Sequence, residues 1–292
     1  MGIGAAYAGP PCHHGPVDDD LQSEQEPETS EADVARARAL IEQARRIVVL
    51  TGAGISTESG IQDFRGPNGL WTKDPAAEKK MTLQTYVADP EHRRRSWQNR
   101  LTSTMWDAEP NDGHRALVEL ERSGRLHTLV TQNIDGLHQE AGTDAALVVE
   151  IHGTTRDVVC LSCGDRQASE PVHERVRSGE TDPTCLIQQT DGVVCGGILK
   201  PATISFGQSL VPEDLSRAES AAAACDLLLA VGSTLGVFPA AGLVPVAVQH
   251  GAVVVILNGG PTEMDALADV VVYGRIGECL PKLVEGLPVL AG

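Results

Sequence analysis

Aromatic side chains are scarce in this chain: three Trp, three Tyr and three Phe make up 3 % of 292 residues. Any core must therefore rest on Val, Leu, Ile and Ala, which the 41 % hydrophobic content can supply. Positive charge is short as well, with 23 basic against 40 acidic residues and a net charge of −17. That balance argues against binding to nucleic acid and to anionic membranes, because both need a basic face. It suits basic, lysine-bearing protein partners. Long apolar runs are missing: the stretch from Leu235 to Val248 contains Pro239 and Pro245 and falls short of a bilayer. The start, Met1 to Ala6, has neither the basic nor the apolar segment of a secretory leader, and Ala6 stands where a myristoylation motif has Ser or Thr. Seven cysteines, mostly clustered, are too few for a disulfide framework. Cys225 and Cys279 lie in apolar stretches and read as buried thiols. The expectation is a soluble, cytoplasmic protein in a reducing compartment.

Residues 1–29 hold Asp18, Asp19, Asp20, Glu24, Glu26 and Glu28 and no Lys or Arg, which reads as a disordered acidic tail. Ser30 with Asp33 resembles a capping pair that opens a helix running to about Arg46. Short apolar, β-branched runs follow: Ile47–Thr51, His127–Thr131, Leu147–Glu150, Leu227–Val231, Val253–Leu257 and Val270–Tyr273. They are continuous rather than alternating, so both faces are expected to be buried. Helical stretches such as Gly113–Ser123 and Ala218–Ala224 separate them. Strand–helix alternation predicts a Rossmann-like α/β fold with a doubly wound parallel sheet, over 30–153 and 202–292. Two insertions interrupt it: a polar, helical one over about 66–110, and residues 154–201. Arg93, Arg94 and Arg95 in the first read as a solvated helix face.

The second insertion carries Cys160-x-x-Cys163, then Cys185 and Cys195. A pair two apart places both thiolates on one side of a tight turn, as a tetrahedral metal requires. Four thiolates leave no open coordination position, so one structural zinc per chain is expected in a small zinc-binding module.

Ile47–Thr51 runs into Gly52-Ala53-Gly54-Ile55-Ser56-Thr57. A glycine turn after the first strand lets a phosphate approach the backbone, although the third glycine of the dinucleotide fingerprint is missing. Asp63 and Arg65 beyond it offer polar anchors, and Phe64 offers a flat face for a ring. Strand ends in a parallel sheet point into the ligand crevice. Gln132, Asn133 and Asp135 stand at one such end and can orient sugar hydroxyls, an amide and a water. His152 stands at another and is the candidate general base. His138 is its rival, turned away from the crevice by helical spacing.

Together, the string from Gly52 to Trp71, the Gln132-Asn133-Ile134-Asp135-Gly136-Leu137-His138 segment, His152-Gly153, the cysteine set and Gly232-Ser233-Thr234-Leu235 resemble the sirtuin family of NAD-dependent protein deacylases. The resemblance spans residues 34–285. Gly66 to Thr72 and the long Cys185–Cys195 gap look like the branch of the mammalian nuclear sirtuins six and seven. The resemblance implies an enzyme that moves the acyl group of an acylated lysine to ADP-ribose and releases nicotinamide. NAD would be a co-substrate, zinc structural, and the protein a monomer acting on acylated lysines of protein substrates. By the same resemblance Gly52, Ala53, Thr57, Asp63, Phe64, Arg65, Trp71, Gln132, Gly232, Ser233, Asn258 and Ile276 would contact NAD. Asn133, Asp135 and His152 would be catalytic. Thr203, Ile204, Phe206 and Gly207, opposed by Val237, would hold the substrate. Gln62 replaces a usual proline and Ser205 a usual aromatic. The Tyr-x-x-Arg pair of desuccinylating members is missing around Trp97–Ser103, which leaves an acidic acyl group without an evident partner. A mono-ADP-ribosyltransferase using the same pocket and a non-catalytic NAD sensor are the alternatives.

Overall fold

The computed structural model describes residues 29–64, 66, 69–73 and 82–290, with Leu70 and Trp71 described in backbone only. The acidic tail up to residue 28 and Arg65 lie outside the described residues, as does the Trp71 side chain.

Nine strands are described: β1 (Ile47–Thr51), β2 (Leu126–Thr131), β3 (Val148–Glu150), β4 (Gly153–Cys160), β5 (Arg166–Ala168), β6 (Leu199–Thr203), β7 (Leu227–Val231), β8 (Val253–Asn258) and β9 (Val270–Tyr273). Six form a parallel sheet in the order β3-β2-β1-β7-β8-β9. Every residue of β1 and β7 is buried, which is why their sequences are continuously apolar. The strand order reverses between β1 and β7, so a crevice opens beyond their carboxyl ends.

Helices Glu31–Gln43, Asp112–Arg122 and Ile276–Val284 cover one face of the sheet. Helices Pro212–Ala224 and Leu243–Gln249 cover the other. Ser30 caps the first helix by accepting from Asp33 N at 3.3 Å, as the sequence predicts. That helix ends at Gln43 rather than near Arg46. The Asp226 carboxylate accepts from Arg45 N and Arg46 N at 2.9 and 3.0 Å, which holds the chain in an extended path into β1.

A second, antiparallel sheet has the order β5-β4-β6. Its core joins Val158, Val172, Val176, Leu199, Cys160 and Cys185 to Trp97, which is fully buried. Trp97 belongs to helix Pro90–Leu101 of the first insertion, so the two insertions pack on each other. Arg93, one helical turn before Trp97, faces the same way. It is buried and makes bonds of 2.8–3.1 Å to Asp182 and to the carbonyls of Tyr86 and Val87. The arginine triplet is thus not one solvated face: Arg94 and Arg95 are exposed, but Arg93 clamps the insertions together.

Candidate active site and metal centre

The sulfur atoms of Cys160, Cys163, Cys185 and Cys195 lie within 4.8 Å of one another. Cys160–Cys195 and Cys163–Cys185 are each 3.7 Å apart. A tetrahedral zinc with Zn–S bonds of about 2.3 Å needs edges of about 3.8 Å, so the donors fit that ion. The N–H groups of Ser162 and Cys163 point at Cys160 Sγ at 3.4 and 3.5 Å. A Cβ on Gly197 would sit 2.7 Å from the same sulfur, so only glycine lets the second loop close on it.

Beyond β1 and β7, Gly52 N donates to Val231 O (3.0 Å) and Gly54 N to Gly232 O (2.8 Å). Cβ atoms added at Gly52 or Gly54 would meet Gly232 at 2.7–2.8 Å. Gly232 itself has φ +65°, and its Cβ would meet Ile55 N at 2.5 Å. Here glycine is a packing requirement between two backbones, and no third glycine of a fingerprint is needed. Asn111 caps helix Asp112–Arg122 and also donates to Ile55 O (2.7 Å) and Ser59 Oγ (3.0 Å), tying the turn down.

The turn leads into a buried polar network at the end of β2. Ser56 Oγ donates to Asp135 Oδ2 (2.8 Å) and accepts from Asn133 Nδ2 (3.1 Å). Asn133 Nδ2 also donates to Gly52 O (3.1 Å), and Leu137 N donates to Asp135 Oδ1 (3.0 Å). Burial raises the Asp135 pKa, opposed by those bonds from Leu137 and Ser56. Below this layer, His138 Nε2 lies 3.0 Å from Thr51 Oγ1, which donates to Thr131 Oγ1 (2.8 Å). His138 is buried, its ring centroid 5.0 Å from that of His114 and tilted 57° to it, out of the cleft, as helical spacing predicts. Burial holds its pKa far down, and the neighbouring His114 adds to that.

His152 is half-buried, and its Nδ1 lies 3.1 Å from the carbonyl oxygen of Gln132. A carbonyl can only accept, so Nδ1 carries the proton and Nε2 is left with a lone pair. Burial lowers the imidazole pKa, partly opposed by the Gln132 bond. The ring is therefore neutral at pH 7, the state a base needs. The His152 carbonyl accepts from Ile204 N (2.8 Å), which couples this residue to the chain after β6. Gln132 Nε2 donates to Ser233 Oγ (2.9 Å), bridging the ends of β2 and β7.

One cleft of about 2640 Å³ gathers these groups. Gly52, Ala53, Thr57, Asp63, Phe64, Gln132, Asn133, Asp135, Gly232, Ser233, Asn258 and Ile276 line it. So do His152, Thr203, Ile204, Phe206, Gly207 and Val237. Apart from Arg65 and the Trp71 side chain, which lie outside the described residues, all the sequence-predicted cleft residues thus line one space. Sequence reasoning missed Ser56, Asn111 and His114, whose partners lie far along the chain. It also missed Arg100 and Lys200, which line the same cleft.

A profile of the Sir2 family matches residues 52–239. The NAD-dependent protein deacetylase 2 of Streptomyces coelicolor is 51 % identical over 241 residues, covering 82 % of this chain and 97 % of that protein. The NAD-dependent protein deacetylase 1 of Bradyrhizobium diazoefficiens is 42 % identical over 253 residues, covering 86 % and 95 %. Among solved structures, Sir2Tm bound to a propionylated peptide superposes with a TM-score of 0.74 at 30 % identity, covering 86 % of this chain and 97 % of that one. With half its length or more inside the family profile and close relatives across the whole fold, this chain belongs to the Sir2 family.

Proposed function

We propose that this chain is an NAD-dependent protein lysine deacylase, acting as a deacetylase, that transfers the acyl group from lysine to ADP-ribose and releases nicotinamide. The observation that carries this reading is the His152 imidazole: neutral, with Nε2 free, in the cleft that also holds the β1/β7 glycine crossing and the chain after β6. The names of the relatives agree with it.

NAD supplies the chemistry: nicotinamide departs from the ribose, the acyl oxygen takes its place, and a ribose hydroxyl then captures the acyl carbon. The residues present fit that ligand. Gly52, Ala53 and Gly232 offer bare backbone for the diphosphate, with Thr57 and Ser233 at hand as hydroxyls. Phe64 and Asp63 lie on the loop beside them, where Arg65 and Trp71 are proposed to join in. Asn258, the last residue of β8, and Ile276, beyond β9, stand at the adenosine end. Gln132 and Asn133 orient the nicotinamide ribose, and Asp135, clamped by Ser56 and Leu137 N, faces the nicotinamide amide. The acyl-lysine peptide lies as an added strand along Thr203, Ile204, Phe206 and Gly207, opposite Val237. Ile204 and Phe206 give the neutral amide an apolar passage. His152 Nε2 takes the proton of the ribose hydroxyl as that hydroxyl attacks. Holding the acyl oxygen and the ribose carbon together supplies much of the acceleration.

Cys160, Cys163, Cys185 and Cys195 hold one zinc, whose role is to fix the small module rather than to react. Reduced thiols and an NAD requirement suit the cytoplasm, and the chain acts as a monomer. The test is mass spectrometry of acetyl-lysine peptide incubated with NAD. Stoichiometric free lysine, nicotinamide and acetylated ADP-ribose support the reading. ADP-ribose attached to protein, without loss of acetyl, would overturn it in favour of a transferase to protein.

A further inference from the structure

A single peptide unit after β2 governs the candidate base. Its carbonyl, Gln132 O, faces His152 Nδ1 at 3.1 Å. Its N–H, on Asn133, donates to Thr131 Oγ1 at 3.1 Å. A trans peptide is planar, so its C=O and N–H point in opposite directions and turn together. Whatever keeps the Asn133 N–H on Thr131 therefore keeps the carbonyl on His152. The same unit carries the Asn133 side chain, whose two amide hydrogens go to Gly52 O and Ser56 Oγ. That leaves Asn133 Oδ1 as the amide atom able to accept from a ligand.

Thr131 is itself held from β1. Its register partner Thr51 donates from Oγ1 to Thr131 Oγ1 (2.8 Å), and the Thr51 carbonyl accepts from Gln132 N (3.0 Å). The Thr131 carbonyl accepts from Ile151 N (3.0 Å), the residue before His152. A hydroxyl can rotate to suit its neighbours, so Thr51 keeps its one proton on Thr131 only while another group engages its lone pairs. That group is His138, with Nε2 3.0 Å from Thr51 Oγ1. Thr51 gives its proton to Thr131, so it accepts from His138, and Nε2 carries the imidazole proton.

His138 is 1 % exposed, and its Nδ1 has no hydrogen-bond partner among the described residues. A buried polar ring with half its bonding capacity unmet is costly, and an apolar side chain would fill this space without that cost. What the imidazole adds is a donor aimed at Thr51. We propose that His138 is a positioning residue: through Thr51 and Thr131 it clamps the Gln132–Asn133 peptide and so sets the tautomer and aim of His152. The inference rests on the deacylase reading and deepens it. It gives the histidine outside the cleft a part in the reaction without contact with substrate.

The experiment joins steady-state kinetics on acetyl-lysine peptide to nitrogen-15 NMR of the histidine rings. Thr131→Val removes the acceptor of the Asn133 N–H at nearly constant shape, and His138→Leu removes the donor at the head of the chain. Each should lower kcat about 3- to 10-fold, the worth of one hydrogen bond and far less than loss of the base. The KM for NAD should stay near the wild-type value, because the glycine crossing is untouched. Thr131→Ser should restore most of the rate. The double variant should be no slower than the slower single, since the two act in series. His152 should carry its proton on Nδ1 in the wild type and show both tautomers in the variants. An unchanged His152 tautomer in Thr131→Val would overturn the clamp whatever the rates. Losses that multiply in the double variant would remove His138 from it. If His138→Leu does not fold, Thr51→Val breaks the chain one link further on and takes its place. A wild-type protein that removes no acetyl group with NAD refutes the deacylase reading, while the tautomer still decides the clamp.

Discussion

Lowering the pH should weaken this fold through His114, and the size of the effect follows from its surroundings. His114 is fully buried beneath the active-site turn, with Nε2 3.5 Å from Ser56 Oγ. Its Nδ1 accepts from Asn111 N (3.3 Å) as part of the capping box that starts helix Asp112–Arg122. Burial, with a smaller contribution from Arg115, lowers its pKa from 6.5 to about 4. In the unfolded chain the same imidazole takes up a proton near pH 6.5. The stabilisation is thus complete above that pH and is lost as pH falls from there toward 4. Each pH unit in that window is worth about 1.4 kcal/mol, so His114 alone costs about 2 kcal/mol at pH 5 and about 3 kcal/mol at pH 4. These are upper values, but 2 kcal/mol is a large part of a typical stability of about 5–15 kcal/mol. His138 acts in the same direction, because burial also lowers its pKa. Asp135 and Glu150, raised by burial, oppose it, since the folded state takes up their protons first. The comparison must therefore be a difference of differences. Denaturant unfolding of wild type and His114→Gln at pH 7 and pH 5 isolates the histidine. The variant should be less stable at pH 7 through loss of the buried ring's packing, yet lose about 2 kcal/mol less on going to pH 5. Parallel losses in the two proteins would refute the assignment of a neutral, proton-excluding His114.

Three further outcomes are expected. His152→Ala should lower deacylation by roughly two to four powers of ten, the range for a positioned base, while calorimetry still detects NAD binding. Wild-type rates in that variant would remove His152 from the mechanism. Gly232→Ala, whose Cβ would lie 2.5 Å from Ile55 N at φ +65°, should destabilise the fold by about 1–3 kcal/mol and raise the KM for NAD. Thermal melts and nicotinamide release at varied NAD would check both. Elemental analysis should find about one zinc per chain, and Cys163→Ser should lose that metal and melt earlier, because metal binding and local folding are linked. A Cys163→Ser protein that melts like wild type would count against a structural zinc.

The six parallel strands were legible because burial on both faces forces continuous apolar sequence, as in Ile47–Thr51 and Leu227–Val231. Strand ends such as Gln132 to Asp135 and His152 were legible because a parallel sheet opens its crevice there. The candidate metal-binding cysteines showed through the Cys160–Cys163 spacing, a local geometric constraint that needs no fold to be read. Family resemblance was needed for Asn258, Ile276 and the segment after β6, where neither periodicity nor spacing marks a ligand contact.

Composition, periodicity and local spacing thus determined the sheet, its helices and the cysteine set, because each is written within a few residues of chain. Only the tertiary structure decided what meets across distance. It placed Gly232 against Gly54 and made glycine obligatory at both, and it turned Arg93 from solvent toward Asp182. It fixed the His152 tautomer through the Gln132 carbonyl, and it brought Arg100 of one insertion and Lys200 of β6 to the lining of one cleft. The reason is the same in each case. The energy of a buried polar group depends on its partners, and those partners come from elements that the sequence alone does not place side by side.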